Sequence, residues 1–533
     1  MADDPSPTSK LSHRLTAQDS SFLFGESNSG PLHIGSISFF ENVVTLDELK
    51  HQIAARIHLL PRYRQRLAFV PFNLANATLE DDPDFQIDNH VKHHKLPPAT
   101  KLADFVKFAM RIYEPPLNRA RPLWEMHLLD GLEGGRSAIV WKIHHCLVDG
   151  VSGMELLSVV LDLAPDAADP PPPAEPWNPK PMPTVFKSLV DGVFDLATGQ
   201  LAQLRRSAAA LENLSSLPSV MAPLASSAST MGRMFARQIV STPWNAAPVS
   251  QQRALDWVKC AFSDLRSIRS ALGGTINDVV LSILTEGAAR YLKHHKVNAQ
   301  GQSMRIGCPV SVRRGQESGA LGNRVSMMFP EMPATPMNPA QRLKLITEET
   351  ARIKAAAEPQ ALESLMSASD SMPPALISMT SSIALSAFEG LGAMMRTMPP
   401  VSRMFALPAP GFNFIATNVP GPQVPVYLNG HRMVEYVGLV PLGGNLGYGV
   451  AIVSYNQNLY FGLMAEPRVM PDVHLMRAYV EEALGELRAA VSLSQQPVLQ
   501  AAARRIRKRA LATPAPSPAV VMPASGRPAA RPG

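Results

Sequence analysis

Residues 137–144, SAIVWKIH, form an apolar run that ends in two histidines, and these open the pattern HHxxxDG over His144-His145-Cys146-Leu147-Val148-Asp149-Gly150. A short apolar run bounded by a turn signal reads as a buried strand. Asp149-Gly150 is such a signal. Ser152-Gly153-Met154-Glu155 then fits a capping box, which places a helix start near Gly153. The chain is therefore constrained to run strand, tight turn, helix at this point. A side chain in that turn is held by rigid elements, as a catalytic base requires. Successive strand side chains point to opposite faces, so only one of the two histidines can face a given site.

An imidazole titrates near neutral pH. It can take a proton from a hydroxyl as the oxygen attacks a carbonyl, then return it to the leaving group. Asp149 could orient the loop through an arginine or backbone N–H groups, or stabilise the imidazolium directly. Rival chemistries lack their signatures. Gly150-Val151-Ser152-Gly153-Met154 lacks the last glycine of a GxSxG elbow, and there is no GxxxxGK[ST] phosphate loop. Cys146 would project away from the site on an extended segment, which argues against it as the nucleophile. Two neighbouring strand histidines diverge and no carboxylate cluster accompanies them, so no metal is expected there.

Composition narrows the class. Of 533 residues, 46% are hydrophobic, enough for sizeable cores, and only 18% are charged. The net charge of +6 suits nucleic acid, an anionic membrane surface or an anionic cosubstrate. Aromatics are scarce and no nucleic-acid-binding motif is present, so nucleic acid is the weakest of the three. Three widely spaced cysteines, Cys146, Cys260 and Cys308, argue against a disulfide framework and for a reducing compartment. No CxxC pair suggests structural zinc. The N-terminus has no apolar signal region, and no apolar run is long enough to span a bilayer.

Residues 1–163 read as a first α/β lobe, with helical periodicity from Leu46 to Leu60. Residues 164–250 read as a proline-rich connector, including four consecutive prolines, followed by a helical crossover. Residues 251–495 read as a second lobe. Its expected helices are Thr275–His295 and Pro339–Glu358. Its expected strands are Met304–Pro309, Arg324–Phe329, Phe412–Thr417, Tyr448–Tyr455 and Leu459–Leu463, the last two joined by a short hairpin. Residues 496–533, which include the basic run Arg504–Arg509, read as a disordered basic tail rich in proline and alanine. The apolar stretch Pro373–Met395 reads as a buried or amphipathic helix pair.

Further blocks carry a resemblance. They are Leu15-Thr16-Ala17-Gln18-Asp19-Ser20-Ser21-Phe22-Leu23 with Pro31-Leu32-His33-Ile34-Gly35, Asp82-Pro83-Asp84-Phe85 with His90-Val91 and Leu96-Pro97, and Arg121-Pro122-Leu123-Trp124-Glu125. Asn277-Asp278, Leu321-Gly322-Asn323-Arg324, Asn418-Val419-Pro420-Gly421-Pro422 and Leu442-Gly443-Gly444-Asn445-Leu446-Gly447 with Ser454-Tyr455 follow in order. This colinear series, over residues 11–490, resembles the bacterial wax ester synthase/acyl-CoA:diacylglycerol acyltransferases, within the chloramphenicol acetyltransferase-like superfamily. The proline-rich insert, the tail and Ala465-Glu466-Pro467 depart from the family's pattern.

The resemblance implies an α/β fold of two chloramphenicol acetyltransferase-like lobes, each a mixed sheet with helices, and an active-site tunnel between them. It implies an acyl-CoA-dependent O-acyltransferase that makes triacylglycerol from diacylglycerol, or wax esters from long-chain alcohols. His145 would be the general base that deprotonates the acceptor for direct attack on the thioester, with His144 as its support. Gly150, Pro122, Leu123, Trp124, Asn277 and Asp278 would be motif or tunnel residues, with Asn277 a candidate oxyanion donor. For Trp124, Asn277 and Asn418, packing, helix capping and a turn are the competing structural roles. Acyl-CoA would be a cosubstrate, with no further cofactor. The expected location is cytoplasmic, peripheral on the inner membrane face or on lipid inclusions. Two alternatives stand beside this reading: a condensation-type acyltransferase, and a non-catalytic lipid-binding or lipid-droplet protein.

Overall fold

The computed structural model describes residues 14–148, 156–184, 186–194, 239–311, 325–356 and 411–511, with side chains as far as Leu493. Two mixed sheets organise them. The first is built on β1 (His33–Phe40), β4 (Val91–Thr100), β5 (Trp124–Leu132) and β6 (Arg136–His144). Strand β6 is buried along all but its first residue, as expected of an apolar run covered on both faces. Helix α3 (Leu102–Tyr113) packs on this sheet through Phe105, Val106, Ala109, Met110 and Tyr113, an apolar stripe at helical spacing.

The second sheet has the order β10-β8-β11-β14-β15-β7, from β7 (Ala254–Ala261), β8 (Ser303–Ser311), β10 (Glu331–Pro333), β11 (Phe414–Pro420), β14 (Tyr448–Tyr455) and β15 (Asn458–Ala465). Strand β9 (Val325–Met328) pairs with β8 at one side. The β14–β15 hairpin turns on Asn456 and Gln457, both at positive φ, 44° and 59°, as its two-residue loop requires. Its flanking helices are α4 (Phe262–Leu272), α5 (Ile276–His294), α6 (Pro339–Ala355) and α7 (Val473–Leu511). The preceding helices α1 (Ala17–Gly25) and α2 (Leu46–Arg56) and the hairpin β2 (Gln65–Ala68) and β3 (Thr78–Asp81) belong to the first lobe.

The sheets do not follow the division of the chain expected at residue 250. Strands β12 (Tyr427–Leu428) and β13 (His431–Leu439) leave the second region and complete the first sheet, whose order is β12-β13-β1-β6-β5-β4. Strand β13 runs antiparallel to β1, with Gly35 opposite Leu439. Strand β14 is buried on both faces. Tyr448, Val450 and Ile452 face the second core, and Ala451, Val453 and Tyr455 face the first. The period of two along a strand thus makes β14 the wall between the cores.

Two further expectations are corrected. Composition predicts a disordered tail from residue 496, but α7 continues through Arg504–Arg509 to Leu511. Its inner half is anchored by buried Val480, Ala483, Leu484 and Leu487. An existing helix extends without a new nucleus, and alanine, leucine and arginine are strong helix formers. Of the expected helical crossover, residues 186–194 are helical, whereas 239–250 are irregular apart from one 3₁₀ turn at Pro243–Asn245. The proline-rich connector lies against the first lobe: Arg56 and His51 bind Asp169 at 3.1 and 2.8 Å. The stretch Pro373–Met395 and the capping box at Ser152 lie outside the described residues.

Candidate active site

Strand β6 ends on His144, and three main-chain bonds fix the turn that follows. His144 N–H donates to Leu123 O, His145 N–H donates to Leu32 O and Leu147 N–H donates to His144 O, each at 3.0 Å. Arg62 Nη1 donates to Leu147 O at 3.3 Å. The His145 ring lies flat on Phe22, with centroids 3.9 Å apart and planes within 10°. Phe22 belongs to α1, which Thr16 caps by accepting the Asp19 N–H. The base expected from sequence is thus held by its main chain and by one ring face.

His144 turns elsewhere. It is fully buried. Its Nδ1 accepts the Cys146 N–H at 3.1 Å, and its Nε2 lies 3.4 Å from Glu26 Oε1. Glu26 Oε1 also accepts the Leu32 N–H at 2.9 Å, and Oε2 receives Arg119 Nη2 at 2.8 Å. Burial alone would raise the Glu26 carboxyl, but His144, the Leu32 N–H and Arg119 outweigh it and bring it down to about 2. Two further ionisable groups are sunk nearby. Burial, then the Lys142 charge, pushes His33 well below its usual value. Burial also lowers Lys142, whose ammonium donates to Ile112 O and Pro115 O at 3.1 and 2.8 Å.

The other expected residues divide. Asp149 and Gly150 lie outside the described residues, as does the Leu321–Arg324 block. Pro122, Leu123 and Trp124 are all buried. Leu123 closes the end of β6 through its carbonyl. The Trp124 indole donates to Tyr63 O at 2.8 Å and stacks on His90 at 4.5 Å, so it packs the lobe. Asp278 is consumed by structure. Its Oδ2 accepts the Thr275 N–H and hydroxyl at 2.8 Å each, and its Oδ1 accepts the Thr350 hydroxyl at 2.8 Å. Asn277 is exposed and accepts a bond from Asn418 Nδ2 at 2.6 Å. Two motifs separated by 141 positions therefore meet. Cys146 is buried and its thiol is raised far above the usual range by burial, so it stays protonated and is a poor nucleophile.

Phe22, Glu26, Arg119 and Arg62 were missed from sequence. Phe22 and Glu26 are four apart, one helical turn, but nothing in the sequence said which strand end α1 would cover.

The loop carrying Glu26 and Leu32 is also where the lobes touch. A Cβ on Gly30 would sit 3.1 Å from Gly443 Cα. Arg253, buried, donates to Ser29 O at 3.2 Å and Leu442 O at 3.0 Å. The Leu442–Gly447 block is fixed in turn by Gly447 N–H donating to Trp244 O at 2.9 Å. His145, bonded to Leu32, is one residue pair from this junction. Among the described residues no group of three or more histidine, cysteine, aspartate or glutamate side chains is placed to hold a metal ion.

Two mixed sheets, the first completed by two strands from the second region, with a histidine turn at their junction, form a two-lobed chloramphenicol acetyltransferase-like protein. The profile of the wax ester synthase/diacylglycerol acyltransferase catalytic domain matches residues 15–280, and that of the WS/DGAT C-terminal domain matches residues 321–488. A relative from Mycobacterium tuberculosis, "Probable diacyglycerol O-acyltransferase tgs1", is 28% identical over 482 residues, covering 89% of this chain and 96% of the relative. The wax ester synthase/diacylglycerol acyltransferase from Marinobacter aquaeolei VT8 has a similar structure, with TM-score 0.58, 20% identity and coverage of 90% of this chain and 99% of that one. The starter condensation domain of rhizomide synthetase, solved with C8-CoA and Leu-SNAC, follows with TM-score 0.52, 14% identity and coverage of 90% and 94%. The chain belongs to the wax ester synthase/diacylglycerol acyltransferase family, and is an acyl-CoA-dependent acyltransferase.

Proposed function

We propose that the protein transfers a long acyl chain from CoA to the hydroxyl of diacylglycerol or a long-chain alcohol, with His145 as general base. The observation that carries this is the clamped turn: His145 is stacked on Phe22, tied to Leu32 O and set at the junction of the lobes. Its Nδ1 is buried, and Nε2 is assigned to the substrates. Nε2 takes the acceptor's hydroxyl proton as that oxygen attacks the thioester carbon. The tetrahedral oxyanion collapses, the C–S bond breaks, and the imidazolium returns its proton to the CoA thiolate. No acyl-enzyme forms, in keeping with the buried, protonated Cys146. Asp149 orients this turn, and the acyl-CoA and acceptor meet in a tunnel between the lobes. The net charge of +6 favours a phosphorylated cosubstrate, and the tgs1 relative's name gives diacylglycerol as the acceptor.

The same proposal places the enzyme on a lipid surface, where such acceptors dissolve. No helix among the described residues is long and apolar enough to cross a membrane. Helix 186–194, however, exposes Phe186, Val190, Val193 and Phe194, by 76, 49, 50 and 67%. These positions form one helical face, as an interfacial helix needs.

The test is His145→Ala, assayed with palmitoyl-CoA and either dioleoylglycerol or hexadecanol. A general base contributes about 10²- to 10⁴-fold, and a fall of that size in kcat is expected. Ester formation at the wild-type rate would overturn the assignment.

A further inference from the structure

We propose that Glu26 is a positioning residue for acyl transfer, acting through His144 on the turn that carries His145. This rests on His145 being the base.

The chain of contacts is short. The Cys146 N–H can only donate, so His144 Nδ1 accepts with its lone pair, and the ring's proton sits on Nε2. That nitrogen lies 3.4 Å from Glu26 Oε1, an ion-pair contact without hydrogen-bond geometry. The carboxylate is itself held at both oxygens, by the Leu32 N–H and by Arg119, which also donates to Leu23 O at 2.7 Å. His144 thus sits between a fixed anion and a fixed main-chain donor. The donor belongs to Cys146 and the ring to residue 144, so His145 is the residue between the two anchors. Leu32 closes the loop: its N–H binds Glu26, and its carbonyl binds the His145 N–H at 3.0 Å. Phe22, one turn before Glu26, lies on the His145 ring. One short helix and its following residue therefore set both the main chain and the ring plane of the base.

A fold has little need of this arrangement. A buried ion pair is often no more stabilising than apolar side chains of the same volume, and the surrounding lobe is apolar. What a fixed carboxylate supplies is orientation: it selects one tautomer of a neighbouring imidazole and one geometry of the turn. Arg119 and His144 face Glu26 directly, and His33 and Lys142 also feel its charge.

The experiment uses the full chain and measures kcat, KM for palmitoyl-CoA and thermal midpoint. Glu26→Gln keeps an acceptor for Leu32 and removes the anion. His144→Asn keeps the acceptor for Cys146 and removes the link to Glu26. Each is expected to lower kcat by about 10- to 100-fold, the scale of a sub-ångström to ångström misplacement, with KM changed less than about threefold. The double variant E26Q/H144N is expected to be no slower than either single one, because both cut the same link. His144→Ala, which loses both anchors, is expected to be slower still. Wild-type kcat in E26Q, or losses that multiply in the double variant, would overturn the proposal. Should E26Q fold poorly, H144N and H144A still carry the comparison: equal rates in these two would overturn it. His145→Ala in the same assay separates the two readings. A retained rate there fails the base assignment, whereas a lost rate there with full rate in E26Q fails the positioning role alone.

Discussion

Glu26, His33 and Lys142 are ionisable groups sunk beside the histidine turn, and their protonation is linked to folding. Burial holds His33 well below 6.5, and it also lowers His90 and His94. Between the folded and unfolded values the unfolded chain binds the extra proton, so stability falls as pH drops below about 6.5. Glu26 acts lower down. Its carboxyl, at about 2 against 4.5, contributes stability in full above 4.5 and loses it as pH falls toward 2. Unfolding free energy measured from pH 7.5 to 5.5 should therefore decrease. His33→Gln keeps a donor for Tyr113 O, which His33 Nε2 meets at 2.7 Å. It should make that slope shallower by up to about 1.4 kcal/mol per pH unit, one proton's worth. An unchanged slope would assign the dependence to His90 and His94. The sequence marked His145 through the whole HHxxxDG pattern rather than through the pair, since His93-His94 and His294-His295 are histidine pairs too. It gave no mark to Glu26 and placed Phe22 only inside the Leu15–Leu23 block, because an acidic or aromatic residue on a short helix has an equally good surface or core role until its neighbour is known.

At the level of elements, the second lobe is tied through its helices and by close contact between sheets. Glu286 on α5 and Arg342 on α6 meet at 2.7 Å, both essentially unexposed. Arg290 also binds Glu286 at 3.0 Å, so Arg342→Met leaves the carboxylate partly paired but strips Pro333 O and Thr335 O of their donor, and should destabilise the fold by about 1–3 kcal/mol in urea titration. Thr275 caps α5, its hydroxyl accepting the Asp278 N–H at 3.2 Å while Asp278 bonds back. Thr275→Ala should cost about 1 kcal/mol. The sheet contact was not legible. A Cβ on Gly462 would stand 2.2 Å from Gly438 O, and one on Gly438 would stand 3.0 Å from Ala451 Cβ. Gly462→Ala must push β13 off β15, a larger effect than its one methyl suggests. About 1–3 kcal/mol of overpacking strain or more is expected, and a wild-type thermal midpoint would refute it. Strand and helix positions were readable because periodicity is local. The glycines were not, because only a second strand arriving from elsewhere explains them.

At the scale of the whole molecule, the donation of β12 and β13 to the first sheet decides what can fold alone. The first sheet takes β12 and β13 from residues 427–439, and the first core includes Val437, Leu439, Val440 and Val453 from the second region. A fragment ending at residue 250 would leave β1 as an unpaired edge with an open apolar face, the state that leads to aggregation. Expression of residues 1–250 should give insoluble or associated protein by light scattering. A soluble, monomeric, cooperatively folding fragment would contradict the donation.

By itself, the sequence determined many of the elements, the strand leading into the histidine turn and the family. Each of these is written in short windows, as periodicity, turn chemistry or colinear motifs. Only the tertiary structure decided which strands share a sheet, that β14 divides two cores, that Asn277 meets Asn418, and that α1 clamps the turn of His145. Those facts depend on pairing between residues from about 90 to just over 400 positions apart, such as Arg119 with Glu26 or Leu439 with Gly35. Such pairing is selected by the packing of whole faces, and no local pattern encodes it.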